Sequence, residues 1–147
     1  MQYDIELLVF DDLDEYIDIL YVYPRSDCRY QKSLACMAQY FRREFKYDFP
    51  GYHISDHPDD CVGVLFCERA MDLVEELDHY PNRVIGGACF WGGLDDGYTL
   101  DWIWLHPFAR NRGNLKSRWS ELKQRFGKFG ISPPVSYSFE NFLKKYA

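Results

Sequence analysis

Nowhere does this chain carry the roughly 18 consecutive apolar residues that a membrane-spanning helix needs. Its opening, Met1-Gln-Tyr-Asp-Ile5, lacks the basic start and apolar core of a secretory signal, so a cytoplasmic protein with no membrane contact is expected. Cysteine is odd in number: the five residues Cys28, Cys36, Cys61, Cys67 and Cys89 sit mostly among apolar neighbours. That favours reduced, partly buried thiols over a disulfide framework. His53, His57, Cys61 and Cys67 are metal-ligand types, but their spacing matches no zinc-finger pattern, and no metal is expected. No local signature of a Ser-His-Asp or Cys-His nucleophile is present, which excludes nucleophilic hydrolysis. Internal repeats, low-complexity segments and an interdomain linker are also missing, so residues 1–147 read as one domain. The first 80 residues are poor in positive charge, with 7 basic against 18 acidic side chains. Such a half is unsuited to gripping nucleic-acid phosphates, and no direct nucleic-acid contact is expected.

The chain is rich in rings, with 12 Tyr, 11 Phe and 4 Trp, so its core or a cleft must be lined by them. Residues 81–147 reverse the charge balance of the first part, with 10 basic and 5 acidic residues, a net of +5 against −11. Halves of opposite sign suit partners of opposite sign. A polyanion fits residues 81–147, and a cationic acceptor fits residues 1–80.

The pattern predicts an α/β domain. Tyr3 to Phe10 alternates as an opening strand, and Asp11 or Asp12 is placed to cap a short helix carrying Leu13, Ile17, Leu20 and Tyr21. A second helix is predicted from about Tyr30 to Tyr47, with Leu34, Met37, Ala38, Phe41 and Phe45 in a stripe. Residues 49–60 form a polar loop rich in turn signals. Cys61–Cys67 and Arg83–Trp91 read as buried strands, with helical turns between them from Glu68 to Tyr80. Gly86-Gly87 in mid-strand signals a bulge or a close backbone approach. A hairpin loop at 92–97 leads into a central strand, Leu100–His106. A short strand at 128–132, ended by Pro133-Pro134, precedes a last helix capped by Ser136 and running to Tyr146.

The centre of the chain is the stretch from Asp101 to Trp119. A strand is stopped by Pro107, a turn follows, and Leu115, Trp119, Leu122 and Phe126 then mark one face of a helix ending at Gly127. A helix that starts just after Arg110-Asn-Arg-Gly113 leaves its first N–H groups unpaired at the positive end of its dipole. Arg110, Arg112 and Lys116 flank that end. The arrangement suits a phosphate.

Leu105-x-Pro107-x-x-Arg110-x-x-Gly113-x-Leu115 resembles the acetyl-CoA-binding signature of the GNAT acyltransferase superfamily. The residues from Phe126 to Ser136, then Phe139-x-x-Phe142-Leu-x-x-Tyr146, are similar to the closing segment of short members; cohesin acetyltransferases end their core comparably. The resemblance spans about residues 84–147 and implies a single GNAT-like domain, a mixed, mostly antiparallel sheet flanked by helices. It further implies acetyl-CoA as cofactor. The pantetheine arm would lie along the backbone of Ile103 and Leu105, and the pyrophosphate against Arg110, Asn111, Arg112, Gly113, Asn114 and Leu115. Leu115 departs from the pattern, since Gly or Ala is usual there.

Acyl transfer to an amine needs a base for the acceptor and an acid for the leaving thiolate. In the family a carboxylate on the central strand, or a water held by it, often takes the proton, and Asp101 is the acid on that strand. Strict alternation places Thr99, Asp101, Ile103 and Leu105 on one face. A structural carboxylate is the competing reading of Asp101. The family's usual acid, a Tyr on the last helix, is replaced by Leu143; Ser136 and Tyr137 are the nearby substitutes. The function expected is N-acyl transfer from acetyl-CoA to an amine on a cationic small molecule or protein. The alternative is a non-catalytic binding or inhibitory protein that keeps the fold.

Overall fold

The computed structural model describes residues 9–10, 18–23, 28–45, 61–69, 82–92, 97–110, 112–132 and 135–146. Six strands and three α-helices are described: β1 (Val9–Phe10), β2 (Ile19–Val22), α1 (Cys28–Phe45), β3 (Cys61–Arg69), β4 (Asn82–Gly92), β5 (Tyr98–Leu105), α2 (Asn114–Phe126), β6 (Gly130–Ile131) and α3 (Tyr137–Tyr146). A 3₁₀ turn at Pro107–Ala109 joins β5 to α2. The sheet runs β2-β3-β4-β5-β6, with β1 paired to the Asn82–Arg83 end of β4. All pairings are antiparallel except β5 with β6. The expected mixed, mostly antiparallel α/β sheet is thus what forms.

Two expectations are corrected. Leu20 and Tyr21 belong to strand β2, not to a helix, because Ile19–Val22 pairs in register with Gly63–Phe66 of β3. Residues 19–22 are β-branched, aromatic or aliphatic, and pairing across a sheet overrides a weak helical pattern. Glu68 and Arg69 continue β3 instead of opening a helix, with the Glu68 carboxylate 3.2 Å from Arg83 across the strands. The predicted helical turns at 70–80, the loop at 49–60 with His53 and His57, and residues 3–8 of the opening strand lie outside the described residues. The short strand near residue 130 is confined to Gly130–Ile131.

Two cores form because the sheet is apolar on both faces. On one side α1 lays Leu34, Met37, Ala38 and Phe41 against Leu65, Val84, Trp102 and Trp104. On the other, Trp119, Leu122 and Phe126 of α2 and Phe139 of α3 cover Phe66, Ile85, Phe90, Leu100 and Ile103. The Phe90 and Phe126 rings stack at 3.8 Å. Gly86 is required by a close approach: a Cβ there would stand 2.3 Å from the Trp104 carbonyl oxygen. No helix among the described residues is long and apolar enough to cross a membrane.

Candidate active site

Strand β5 carries one residue more than β4 can match. Trp102 faces Cys89 and Leu100 faces Phe90, so Asp101 is the extra residue of a bulge. The bulge flips side-chain parity. Leu100 packs on the α2/α3 side together with Ile103, while Trp102 and Trp104 pack on the α1 side. Asp101 turns to Trp91, whose indole N–H donates to its Oδ2 at 3.1 Å, and Trp91 packs against the α1-side core. The expectation that Asp101 shares a face with Leu105 is corrected by this extra residue.

The bulge also ends strand pairing. β6 meets β5 only at Thr99–Gly130 and Leu100–Ile131, followed by the Ser132 N–H to the Leu100 carbonyl at 2.9 Å. Pro133 and Pro134 come next in sequence and have no N–H to continue the ladder. Beyond that point the edge of β5 opens into a wedge, and α3 forms the facing wall. The Leu105 carbonyl looks out of this edge, since it accepts from Arg110 Nε at 2.9 Å. Backbone groups alternate between edges, so the N–H and C=O of Ile103 face the same opening. Such an edge is a docking strip for an extended chain with amides of its own.

Three connected hollows follow the wedge. A small one at its apex, about 10 Å³, lies among Asp101, Phe41, Ile131, Ser132 and Ser136. A groove of about 140 Å³ runs along Ile103, Leu105, Leu115 and Phe142. A wider basin of about 390 Å³ reaches Gly113, Asn114, Lys116, Lys145 and Tyr146. Ser136 lines the first two hollows, and its Oγ accepts the Phe139 N–H at 3.2 Å, the expected cap of α3.

The basin is built around the start of α2. Gly113 occupies the N-cap at φ 80°, ψ 7°, a left-handed conformation that disfavours other residues, and no side chain caps the helix. The Asn114 side-chain amide donates to the Ala109 carbonyl at 2.9 Å and ties the turn together. Arg112 and Lys116 are exposed, and the Lys116 and Lys145 ammonium groups lie 5.3 and 5.4 Å from the Tyr146 ring centre. Lys145 and Tyr146 stand one turn beyond Asn141 and Phe142 on α3, and all four line the basin. Asn111 lies outside the described residues. Leu115 lines both groove and basin, so its larger side chain forms a wall of the slot.

Arg110 stands apart from the basin's cations. Its guanidinium makes a paired contact with the Glu44 carboxylate of α1, with Nη1 to Oε2 at 2.6 Å, and the Trp104 indole donates to Glu44 Oε1 at 2.9 Å. Arg110 therefore fixes the turn to α1 and the strand end, while the exposed cations are left to face a ligand. Burial opposes ionisation of Glu44, but hydrogen bonds from Arg110 and Trp104 and the charge of Arg110 outweigh it and hold the carboxyl below its ordinary value. A lowered carboxyl contributes stability above about pH 4.5, its unfolded value, and loses it as pH falls through the folded one. Glu44→Gln should accordingly have a lower urea midpoint than the native chain near pH 7, and the difference should shrink on acidification. A gap that stays constant down to about pH 3 would show that Glu44 is not the titrating contact.

Among the described residues, Cys61, Cys67, Cys89 and His106 are poorly placed for nucleophilic chemistry. The Cys61 and Cys89 sulfurs are 2.8 Å apart and buried. Their hydrogen bond, then burial, pushes the Cys89 thiol well above its usual range. Burial raises Cys67 to about 12. Thiols held protonated are inert. His106 is pushed down by burial and by Arg110, and its Nδ1 accepts the Phe108 N–H, so the ring shapes the turn. Leu143, where a tyrosine is usual, packs into the α2/α3-side core. Tyr137 is 81% exposed, away from the apex.

No protein-family model matches the chain, and no curated protein matches it in sequence. Solved structures do match in shape. A ribosomal-protein-alanine N-acetyltransferase from Brucella melitensis biovar Abortus 2308 aligns with 88% of this chain and 91% of its own, at 14% identity and a TM-score of 0.56. The xEco2 acetyltransferase domain, bound to a CoA conjugate, aligns over 96% of this chain and 92% of its own, at 13% identity and a TM-score of 0.58. With a bulged central strand, a wedge beside it and a helix that opens on a glycine, the chain has the GNAT fold.

Proposed function

We propose that this protein is an acetyl-CoA-dependent N-acyltransferase whose acceptor is an amine on a cationic small molecule or a protein. The observation that carries the reading is the continuous slot from the bulge at Asp101, along the open edge of β5, to the uncapped start of α2. Acetyl-CoA has a chemistry that matches it end to end: a thioester, two amides in an extended arm, and phosphates. The backbone of Ile103 and Leu105 would pair with the arm. The amides of Gly113, Asn114 and Leu115, with Arg112, Lys116 and Lys145 around them, would hold the phosphates. Asp101, or a water it holds, would take the proton of the attacking amine, and the Ser136 hydroxyl would protonate the departing thiolate. The net charge of −11 on residues 1–80 would draw a cationic acceptor. Leu143 in place of the usual tyrosine favours a second reading, a CoA-binding protein without turnover.

Gly113→Pro tests the cofactor end. Proline cannot adopt a φ of 80° and removes an N–H. Losing one hydrogen bond to a charged group costs about 1.5–3 kcal/mol, so CoA affinity should fall by about 10- to 100-fold. Lys144→Ala, which breaks only an exposed pair with Glu140, should leave it unchanged. Calorimetric titration decides; equal affinity in native chain and Gly113→Pro would place the phosphates elsewhere.

A further inference from the structure

The apex of the wedge is much smaller than the groove that leads into it, about 10 Å³ against about 140 Å³. The two share Ile103, Ser136 and Phe139, so a chain lying in the groove ends at the apex. A volume of that size holds about one water-sized group. Phe41 enters the apex from α1 and Phe139 from α3. Phe41 is 4% exposed, stacked on Trp102 at 6.1 Å and tilted against Phe45 at 5.5 Å. Phe139 is stacked on Phe142 at 6.1 Å and meets Trp119 edge-on at 6.0 Å. Neither ring can withdraw without displacing a packed neighbour.

We infer that Phe41, closing the apex against Phe139, is a length gauge for the acyl group, admitting a two-carbon chain and rejecting a four-carbon one. The inference rests on the acyl-CoA reading above and adds the residue that sets the donor's acyl class. A single methylene in a tight apolar pocket discriminates by about 10- to 200-fold. Two further methylenes should therefore weaken binding at least about tenfold, because overpacking forces the rings off their rotamers.

The test is calorimetric titration of the full chain with CoA, acetyl-CoA and butyryl-CoA. Acetyl-CoA should bind about as tightly as CoA, and butyryl-CoA at least about tenfold more weakly. Phe41→Leu should bring butyryl-CoA to within a few-fold of acetyl-CoA while leaving CoA affinity unchanged. Val135→Ala enlarges the same apex from a half-buried position ahead of α3 and carries the test should Phe41→Leu fail to fold. Native chain that binds butyryl-CoA as tightly as acetyl-CoA overturns the gauge and leaves the CoA reading standing. Unchanged discrimination in the folded variant overturns it too. Native chain that binds none of the three overturns the CoA reading itself.

Discussion

Arg118→Met is expected to destabilise the protein by at least about 1–3 kcal/mol, because it strips a charged donor from the buried Cys67 carbonyl and from two part-buried ones. Arg118 is 4% exposed. It donates to the Cys67 carbonyl, to the Asp18 carbonyl at 3.1 Å and to the Asn114 carbonyl at 2.9 Å. Its partner carboxylate Asp18 is 54% exposed, so the ion pair itself contributes little and the carbonyls dominate. Methionine refills much of the volume with a flexible apolar chain, which separates lost hydrogen bonds from a cavity. Arg118 joins α2 to the chain entering β2 and to β3, so its loss also frees the helix start from the sheet. Urea unfolding gives the stability, and CoA titration of the folded fraction gives the consequence at the basin. A change below about 0.5 kcal/mol, the range of ordinary surface substitutions, would mean that water replaces the guanidinium at those carbonyls.

Arg118 also marks where sequence stops being informative. The stripe Leu115, Trp119, Leu122, Phe126 is legible because helical periodicity is local, and α2 ends where Gly127 said it would, with its N–H on the Lys123 carbonyl at 2.9 Å. Nothing local says that a cation one residue from Trp119 is buried, since its partners at 18 and 67 are distant in sequence. Arg110 repeats the lesson. Its place in the turn is visible, but its use is set by Glu44, 66 residues away. The Ser136 cap and the strand edge at Ile103 and Leu105 follow from short-range rules. The bulge at Asp101 does not, because a register shift depends on how β4 and β5 align and no residue type announces it. The wedge is therefore half legible: its floor is written in the strand–turn–helix pattern, whereas its apex depends on packing between α1, β5, β6 and α3.

Asp101→Asn should lower the rate of acyl transfer by about 10²–10⁴, the usual range for loss of a general base. The substitution keeps the shape of the side chain and an oxygen to accept the Trp91 N–H, so the contact at 3.1 Å survives. What asparagine cannot do is take a proton. The base acts by accepting a proton, so the native rate should show an ascending limb with pH that Asp101→Asn lacks. CoA affinity should stay within about twofold, because the side chain lines the apex and the proposed phosphate donors are at Gly113, which lines the basin. The urea midpoint should also be nearly unchanged, and these two controls distinguish a proton acceptor from a residue that merely holds the bulge. Among the described residues, Glu44 is already committed to Arg110 and Trp104, and Glu68 to Arg83. The measurement is the pH profile of thiol release with an amine acceptor for the two proteins. An Asp101→Asn protein that turns over at the native rate, with the ascending limb intact, would assign that limb to the acceptor amine losing its own proton. The role of the bulge would then be to open the strand edge.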